Sequence, residues 1–360
     1  MKATVLSLLC VCAAFLSLAA QNRADQQHLA DPKSFSMILM GDPQNYVKQS
    51  TSQPIYELNT VWIADNVDNL NIKAVLITGD MVNANDRLSL GTRPKENQTS
   101  KQMWEWTSHC LERLDNKVPY IICSGNHDYG YIRGDEGFTH FPEYITFERN
   151  SQNVDHIVAT MPNRDGRSSI ENAAYEFSDA NWGKLLVIST EWAPRDEVLG
   201  WIEHICNKYK DHRVILLTHS YMKSGTSAQR TTSLNKSYTL KNQNQGQQMW
   251  DKLVKSTPNI SLVLCGHAGI QGDSPQNSAS YREDKNDAGK TVCQMMFNVQ
   301  FVSQDRKGNG GEGWLRILEF LPDGKTVKVQ TYSPLFGISP VAKKFAHRAS
   351  SIDQFDMVLN

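Results

Sequence analysis

Five short apolar runs in this chain each stop at a residue whose side chain can hold a metal ion. The runs, rich in Val, Ile and Leu, cover residues 35–40, 74–78, 120–124, 214–218 and 260–265. A short continuous apolar run bounded by turn residues is typical of a strand buried on both faces, as in the parallel sheets of α/β proteins. Open α/β sheets bind ligands beyond the carboxyl ends of their strands. The chain is therefore predicted to be an α/β protein that brings five polar strand ends into one core.

The polar residues that follow these runs offer oxygen and nitrogen ligands. They are Asp42, then Asp80 with Asn83, then Asn126, His127 and Asp128, then His219, and finally His267. Carboxylates, amide carbonyls and imidazoles form a mixed donor set that suits Zn, Fe or Mn. A single His after a strand is more often a hydrogen-bonded structural residue, and Gly-Asn-His-Asp alone is equally consistent with a capped polar turn. The repetition of the pattern favours a metal centre instead.

The order of these motifs resembles the calcineurin-like metallophosphoesterase superfamily. Gly-Asp, Gly-Asp-x-x-Asn, Gly-Asn-His-Asp, a late strand-end His and Gly-His follow one another as they do in that family. Gln44 in the first motif, together with the stretches 191–197 and 311–319, is similar to a secreted subgroup. The likeness covers roughly residues 35 to 335. It implies a four-layer α/β/β/α sandwich, in which two mixed sheets are flanked by helices.

The resemblance also implies a pair of metal sites that share one carboxylate. Asp80 matches the family's bridging ligand, because each of its two oxygens can hold one ion. Asn126, His219 and His267 would complete the first site with it. This set of ligands implies one tightly bound ion of Zn, Fe or Mn.

The second metal site departs from the family pattern. The family has His where this chain has Gln44 and Gly269. That leaves Asp42, the other oxygen of Asp80 and at most the amide oxygen of Gln44, which is a harder and weaker ligand than an imidazole. The resemblance therefore implies a weaker second ion, Mn or Mg, in a site that lacks two imidazoles.

Asn298 and Gln300 are candidates to replace the missing ligands. Both lie at the end of the predicted strand 291–299, so their amides can reach the same sheet edge as the other ligands. The sequence leaves open whether the second site is degraded or is completed by such residues.

His127 resembles the family's general acid, which gives a proton to the leaving oxygen of the ester. Asn83, three residues after Asp80, stands where the family often has an Asp that orients this His. An Asn can hold the ring but adds no charge, so the pKa of His127 is expected to rise less than beside an Asp.

Arg195 and Tyr221 follow strand ends and are candidates to bind the phosphate or the leaving group. For Arg195, a surface ion pair with Asp196 or Glu197 is at least equally consistent with the sequence. Substrate binding by these two residues is therefore a hypothesis.

The function implied by the resemblance is hydrolysis of a small phosphate mono- or diester by metal-activated water. The missing imidazoles keep one alternative open, a non-hydrolytic protein that binds metal and phosphate on the same fold with a degraded second site. A dedicated nucleic-acid binder is disfavoured, because the net charge is −1 and the chain shows no basic stripe.

The N-terminus has the layout of a cleaved secretory signal, with an uncleaved membrane anchor as the alternative. Lys2 precedes an uncharged apolar run that ends in small residues, and Ser17 and Ala19 suit a cleavage site after residue 19. The expected organisation is a signal peptide at 1–19, a polar linker at 20–34, the phosphoesterase domain at 35–337 and a C-terminal tail at 338–360. The protein is expected to be secreted, in the periplasm or outside the cell, with no membrane association after cleavage.

Periodicity predicts the remaining elements. Helices are expected over residues 56–70, 102–114, 196–209 and 247–255, and further strands over 175–177, 185–190, 291–299, 314–320 and 326–332. The stretch 129–172 is expected to be a long insertion whose aromatic residues favour an ordered lid, and 270–290 a loop rich in Gly, Ser and Asp. Cys123 and Cys265 lie inside apolar runs and are expected to be buried thiols, although a bridge between them is left open.

Overall fold

The computed structural model describes residues 27–90, 96–233, 238, 240–302 and 308–359. The expected signal peptide and the first part of the expected linker lie outside these ranges. No helix in the described part of the chain is both long and apolar enough to cross a membrane.

Fourteen strands form the framework of the described structure. In chain order they are β1 Phe35–Met40, β2 Ile72–Ile77, β3 Tyr120–Ile122, β4 Ile157–Met161, β5 Asn172–Asp179, β6 Gly183–Ser189, β7 Arg213–Leu217, β8 Ile260–Cys265, β9 Ala279–Lys285, β10 Thr291–Phe297, β11 Leu315–Phe320, β12 Thr326–Tyr332, β13 His347–Arg348 and β14 Gln354–Val358.

Nine α-helical segments connect or flank these strands within the described residues. They are α1 Gln44–Val47, α2 Gln53–Asp65, α3 Ser100–Glu112, α4 Phe141–Tyr144, α5 Ser151–His156, α6 Asp196–Lys208, α7 Gly246–Met249, α8 Pro275–Ser278 and α9 Pro334–Gly337. A π-helical turn, Trp250–Val254, continues α7, so the helix predicted over 247–255 is present but changes its hydrogen-bond period. Short 3₁₀ turns lie at Asn126–Asp128 and Lys343–Phe345.

The strands divide into two mixed seven-stranded sheets, as predicted. In the first sheet the order is β13-β12-β11-β1-β2-β3, with β14 also paired to β12. In the second the order is β4-β5-β6-β7-β8-β10-β9. The motif-bearing strands β1, β2 and β3 run parallel, and so do β6, β7, β8 and β10. Parallel strands place their carboxyl ends at one edge of a sheet, which is where the polar motifs follow.

The packing confirms four layers. Helices α2 and α3 cover the first sheet through Tyr56 and Trp104, which belong to the same buried cluster as β1 and β2. Alternate residues of the second sheet point in opposite directions, so that Leu185 joins this cluster whereas Leu186 joins a second one with Ile202 of α6. Each sheet therefore has a helix-covered outer face, and the two inner faces pack against each other.

Two segments have more regular structure than the sequence predicted. The 129–172 insertion contains α4, α5 and β4, and the 270–290 segment contains β9, which pairs antiparallel with β10. Strand β9 lies at the edge of its sheet, where polar residues are tolerated, so its charged sequence gives no buried-strand signal.

The expected boundary between the domain and a C-terminal tail at residue 337 needs correction. Strands β13 and β14 both pair with β12, and Met357 and Leu359 are buried in the main cluster. The C-terminal segment is therefore part of the first sheet. Its alternation of exposed and buried residues is too short to stand out in the sequence.

The five cysteines of the described residues are free and buried. Cys123 and Cys265 are buried thiols, as predicted, and no bridge joins them. The Cys265 thiol accepts a hydrogen bond from the Met222 backbone at 3.4 Å. Both cysteines serve as small core residues.

Candidate metal centre

The candidate metal centre lies where the edges of the two sheets meet. Asp42, Asp80 and Asn126 follow β1, β2 and β3 of the first sheet, and His219 and His267 follow β7 and β8 of the second. All five belong to the set that the sequence predicted as ligands. Each sheet thus contributes part of the set, and neither sheet alone could assemble it.

The Nε2 atom of His219 lies at the centre of the first group of ligands. It is 3.4 Å from Asp80 Oδ1, 3.1 Å from Asn126 Oδ1 and 3.1 Å from His267 Nδ1. Ligand atoms of Asp80, His219 and His267 all lie within 4.8 Å of one another, as expected of groups that can hold one ion. The side chains of His219 and Asp80 are almost fully buried, whereas His267 is half-buried.

Thr78, which the sequence analysis did not single out, orients two of the predicted ligands. The Nδ1 atom of His219 donates to the Thr78 carbonyl at 2.6 Å, which leaves Nε2 free to bind a metal. The Thr78 hydroxyl donates to Asp42 Oδ1, also at 2.6 Å. The only sequence signal for this role is the position of Thr78 directly before the Gly-Asp motif.

The backbone at the centre adopts conformations that most residues avoid. Asp80 and His267 have φ angles of 54° and 67°, in the left-handed region, where strain is often held at functional sites. A side chain on Gly125 would overlap the Asp80 carboxylate, and one on Gly266 would overlap the Asp42 carboxylate and the Thr78 hydroxyl. The glycines of the motifs are therefore required by the close packing of the carboxylates.

The second group of ligands surrounds Asp42. Its Oδ2 atom accepts hydrogen bonds from the His267 backbone at 2.9 Å and from Asn298 Nδ2 at 2.5 Å, and Gln300 Nε2 lies 3.5 Å away. Asn298 also donates to the His267 carbonyl at 3.0 Å, so it holds the two ligand loops together. Asn298 and Gln300 do reach this edge, as expected, and both present their amide nitrogens to Asp42.

Two buried acceptors near Asp42 have no partner among the described residues. They are the Oε1 atoms of Gln44 and Gln300. Buried polar atoms are rarely left unpaired, and such an exception is expected where a ligand belongs. The donor chemistry therefore fits two divalent ions. Asp80, Asn126, His219 and His267 can hold one, and Asp42, Asp80 and Gln44 the other, with Gln300 as a further candidate.

The charges at the centre favour a cation. Burial alone lowers the pKa of His219, but the carboxylates of Asp80 and Asp42 outweigh it and raise this pKa to about 9. Burial and the neighbouring His219 lower the pKa of His267 to about 3. Burial raises the pKa of Asp42 to about 7, whereas at Asp80 the nearby His219 and His127 outweigh burial and lower the pKa. The buried carboxylates thus hold positive charge at the point where the ligands converge.

His127 is oriented by the residue that the sequence indicated, but through a different atom. Its Nδ1 donates to the backbone carbonyl of Asn83 at 2.6 Å, and its backbone N–H donates to Asp80 Oδ1 at 2.8 Å. The Asn83 side chain turns away to Glu96, 3.4 Å from its Oε1. Because a carbonyl suffices to hold the ring, the change from Asp to Asn at this position is structurally neutral, and the Nε2 atom of His127 remains free.

An unpaired cation, Arg133, lies near this histidine. Burial is the main cause that lowers the pKa of His127, and the charge of Arg133 adds to the effect, as it does at His267. Arg133 belongs to the insertion after β3, is exposed, and has no ion pair within the described part of the chain. Arg133 could not be singled out from the sequence, because the insertion carries no recognisable motif.

The structure does not place Arg195 and Tyr221 as predicted. The Arg195 guanidinium pairs with Glu191, with Nε 2.9 Å from Oε1, rather than with Asp196 or Glu197. The Tyr221 side chain is fully buried in the cluster under α6, and its hydroxyl donates to Gln294 at 3.2 Å. Both groups already have partners inside the protein, so Arg195 and Tyr221 need correction as substrate-binding residues.

Comparison with known proteins settles the family. The sequence pattern of the family described as calcineurin-like phosphoesterase matches residues 36–271, about two-thirds of the chain. The chain belongs to the calcineurin-like phosphoesterase family. The order of the motifs in the sequence indicated the same family.

One relative of this phosphoesterase is the uncharacterized protein YvnB of Bacillus subtilis. The two are 26% identical over 328 residues, which is 90% of this chain but 22% of YvnB. The phosphoesterase thus spans about a fifth of the length of that relative.

Two solved structures align with most of this chain. A dimetal phosphatase from Danio rerio aligns over 92% of this chain and 100% of its own, with 11% identity and a TM-score of 0.48. GAP50, the anchor in the inner membrane complex of Plasmodium, aligns over 91% of this chain and 89% of its own, with 12% identity and a TM-score of 0.43.

Proposed function

We propose that this phosphoesterase is a secreted enzyme that hydrolyses a small phosphate mono- or diester, with His127 as the general acid. The observation that carries the proposal is the convergence of Asp80, Asn126 and His267 on His219 Nε2, directly beside His127. That arrangement places candidate metal ligands and a proton donor around one point at the sheet edge.

Divalent ions bound at such a centre neutralise the phosphoryl oxygens and lower the pKa of the attacking water. The chain itself supplies orientation and proton transfer. Asp80 holds the backbone of His127, and the Asn83 carbonyl fixes the ring so that Nε2 presents a proton when the imidazole is charged. Burial lowers the pKa of His127, which makes its imidazolium a stronger acid but leaves less of it protonated near neutral pH.

Arg133 replaces Arg195 as the proposed phosphate-binding cation. Its charge acts on both His127 and His267, so it is close enough to the centre to favour a bound phosphate group. An exposed guanidinium with no partner in the described structure is free to form two parallel hydrogen bonds with a phosphate.

The general-acid role of His127 is tested with esters that differ in their leaving group. His127→Ala should lower kcat by about 10²–10⁴-fold for an alkyl phosphate, whose leaving oxygen needs a proton. The loss should be much smaller for a nitrophenyl phosphate, because nitrophenolate leaves without one. The metal content should stay unchanged, and His204→Ala, on the exposed face of α6, serves as the control. Equal losses for the two esters would remove His127 from this role.

A second candidate function remains because the second site lacks two imidazoles. Gln44 and Gly269 stand at those positions, so the chain can be a protein that binds metal and phosphate without hydrolysing the ester. Metal analysis of the purified protein, together with hydrolysis of aryl phosphate mono- and diesters, separates the two functions. Bound metal and phosphate affinity without any turnover would favour the binding protein.

Secretion is proposed from the N-terminal sequence alone. Cleavage after residue 19 would remove Lys2 and the apolar run that follows it. Intact-mass analysis of protein recovered from the medium or periplasm should show a chain that begins at residue 20. A mass that includes Met1 would refute the cleavage.

A further inference from the structure

A cavity of about 400 Å³ opens beside the metal ligand His267. Its wall includes Ser220, Lys223, Ser224, Tyr238 and Gln245. The wall also contains Ala268 and Gly269, which follow His267 in the chain. The cavity is therefore continuous with the metal centre on the side of the second sheet.

Two buried polar atoms in the wall of this cavity have no partner within the described structure. They are Ser224 Oγ and Gln245 Nε2. Their side chains are strongly buried, since Ser224 is 7% and Gln245 is 3% exposed. An unpaired buried donor costs free energy, so two of them in one cavity point to a ligand that completes their hydrogen bonds.

Both residues are tied to the loops that carry the metal ligands. The backbone N–H of Ser224 donates to the Ala268 carbonyl at 3.1 Å, and Lys223 forms a β-bridge with Ala268. The other atom of the Gln245 amide, Oε1, accepts from the Ser220 hydroxyl at 2.9 Å, and Ser220 directly follows His219. The unpaired donors are therefore held at fixed positions relative to both histidines.

Lys223 adds a positive charge to the same wall. Its ammonium group has no ion pair among the described residues, and its side chain is exposed. An ammonium group and an amide N–H₂ can only donate hydrogen bonds, and a hydroxyl can donate one as well. A ligand that satisfies all three groups must present acceptor oxygens and would be favoured by negative charge.

We propose that this donor pocket, formed by Lys223, Ser224 and Gln245, binds an oxyanion on the organic part of the phosphate ester. The substrate would then carry a carboxylate or a second phosphate beside the ester that is cleaved. The inference rests on the proposed hydrolytic function, because it assigns the pocket to the substrate of the same centre.

The test compares two esters with leaving groups of similar basicity, phenyl phosphate and 3-carboxyphenyl phosphate. The holoenzyme should have the higher kcat/KM for the carboxylated ester. Lys223→Met, Ser224→Ala and Gln245→Glu should each lower the ratio of the two kcat/KM values by about tenfold, the scale of one lost hydrogen bond to a charged group. Lys210→Met, at the opposite end of the second sheet, should leave the ratio unchanged.

Two results would overturn the donor pocket while leaving the hydrolytic function intact. One is an equal kcat/KM for the two esters in the unmodified enzyme, and the other is an equal loss for both esters in all three variants. If neither ester is hydrolysed, the proposed function fails and the pocket is tested by calorimetry. Tighter binding of 3-carboxyphenyl phosphonate than of phenyl phosphonate, lost in Lys223→Met, would support the pocket, and equal binding would refute it.

Discussion

The two halves of the metal centre differ in the kind of atom that they offer. Around His219, two imidazoles, a carboxylate and an amide oxygen converge from both sheets. Around Asp42, amide side chains replace the imidazoles, and Asn298 and Gln300 present nitrogen rather than oxygen to the carboxylate. The first half therefore has the ligands of a transition-metal site, whereas the second has those of a weaker, oxygen-rich site.

This difference also affects how strongly each carboxylate can bind a metal ion. Both oxygens of Asp42 already accept hydrogen bonds, from Thr78 on one side and from Asn298 and the His267 backbone on the other. Those bonds hold Asp42 in place but compete for its lone pairs. We therefore expect the two sites to be filled unequally, because of the neighbouring donors as well as the missing histidines.

The largest expected loss of metal binding and activity comes from removing an imidazole from the first half, the ligands around His219. His219→Ala should abolish tight metal binding and lower activity by more than about 100-fold, since even changes to residues that only support a ligand cost roughly 10–100-fold. Metal analysis after dialysis, beside the rate of aryl phosphate hydrolysis, measures both effects. Retention of one tightly bound ion in this variant would show that the strong site lies elsewhere.

A smaller effect is expected from strengthening the weaker half. The protein should be purified with about one tightly held transition metal, and added Mn or Mg should raise its activity. Gln44→His should increase the affinity for the second ion by at least about tenfold, because an imidazole replaces a neutral amide. The concentration of Mn that gives half-maximal activation measures this change. If two ions remain bound to the unmodified protein after dialysis against a chelator, the two sites do not differ in affinity as expected.

Gly269, the other position at which the family has His, is a poor place to introduce an imidazole. A Cβ atom on Gly269 would lie 3.1 Å from the Asn298 carbonyl and 3.1 Å from the Phe301 ring. Gly269→His would therefore displace Asn298, which positions Asp42. We expect Gly269→His to weaken the second site, in contrast to Gln44→His.

A more moderate change tests Asn298 as a positioning residue. Asn298→Ala removes the hydrogen bonds to Asp42 and to the His267 carbonyl, and it should raise the Mn concentration for half-maximal activation by about tenfold. The tightly bound metal should remain, because Asn298 reaches the first site only through the His267 backbone carbonyl and not through a ligand side chain. Asn181→Ala, in an exposed hairpin, is the matched control. Loss of the tight metal in Asn298→Ala would show that the two halves are not separable.

The ligands could be predicted from sequence because of where they stand in the chain. Asp42, Asp80, Asn126, His219 and His267 each follow a buried strand, and parallel strands bring such positions together whatever the details of packing. The same logic predicted the two sheets, since each apolar run forms a strand within a few residues of its expected bounds.

Roles that depend on pairing between distant residues could not be predicted in this way. Tyr221 lies 73 positions from Gln294, which binds its hydroxyl, so nothing near it in the sequence showed that the group is occupied. The role of Asn83 is carried by its backbone carbonyl, which any residue has. Ser224 and Gln245 are conspicuous only because their donors lack partners, and that is a property of the folded structure.

The smallest expected effect comes from a residue that the sequence placed in the centre and the structure places outside it. Tyr221→Phe removes a hydroxyl that donates to Gln294, whose Oε1 still accepts from Arg230 at 2.8 Å. Because that acceptor keeps a partner, the free energy of unfolding should fall by no more than about 1 kcal/mol. Metal content and kcat/KM should stay within about twofold of the unmodified protein, a change that corresponds to less free energy than one hydrogen bond. The exposed control Tyr131→Phe should give the same result. A larger loss of kcat/KM at full metal content would return Tyr221 to the active centre as a substrate-binding residue.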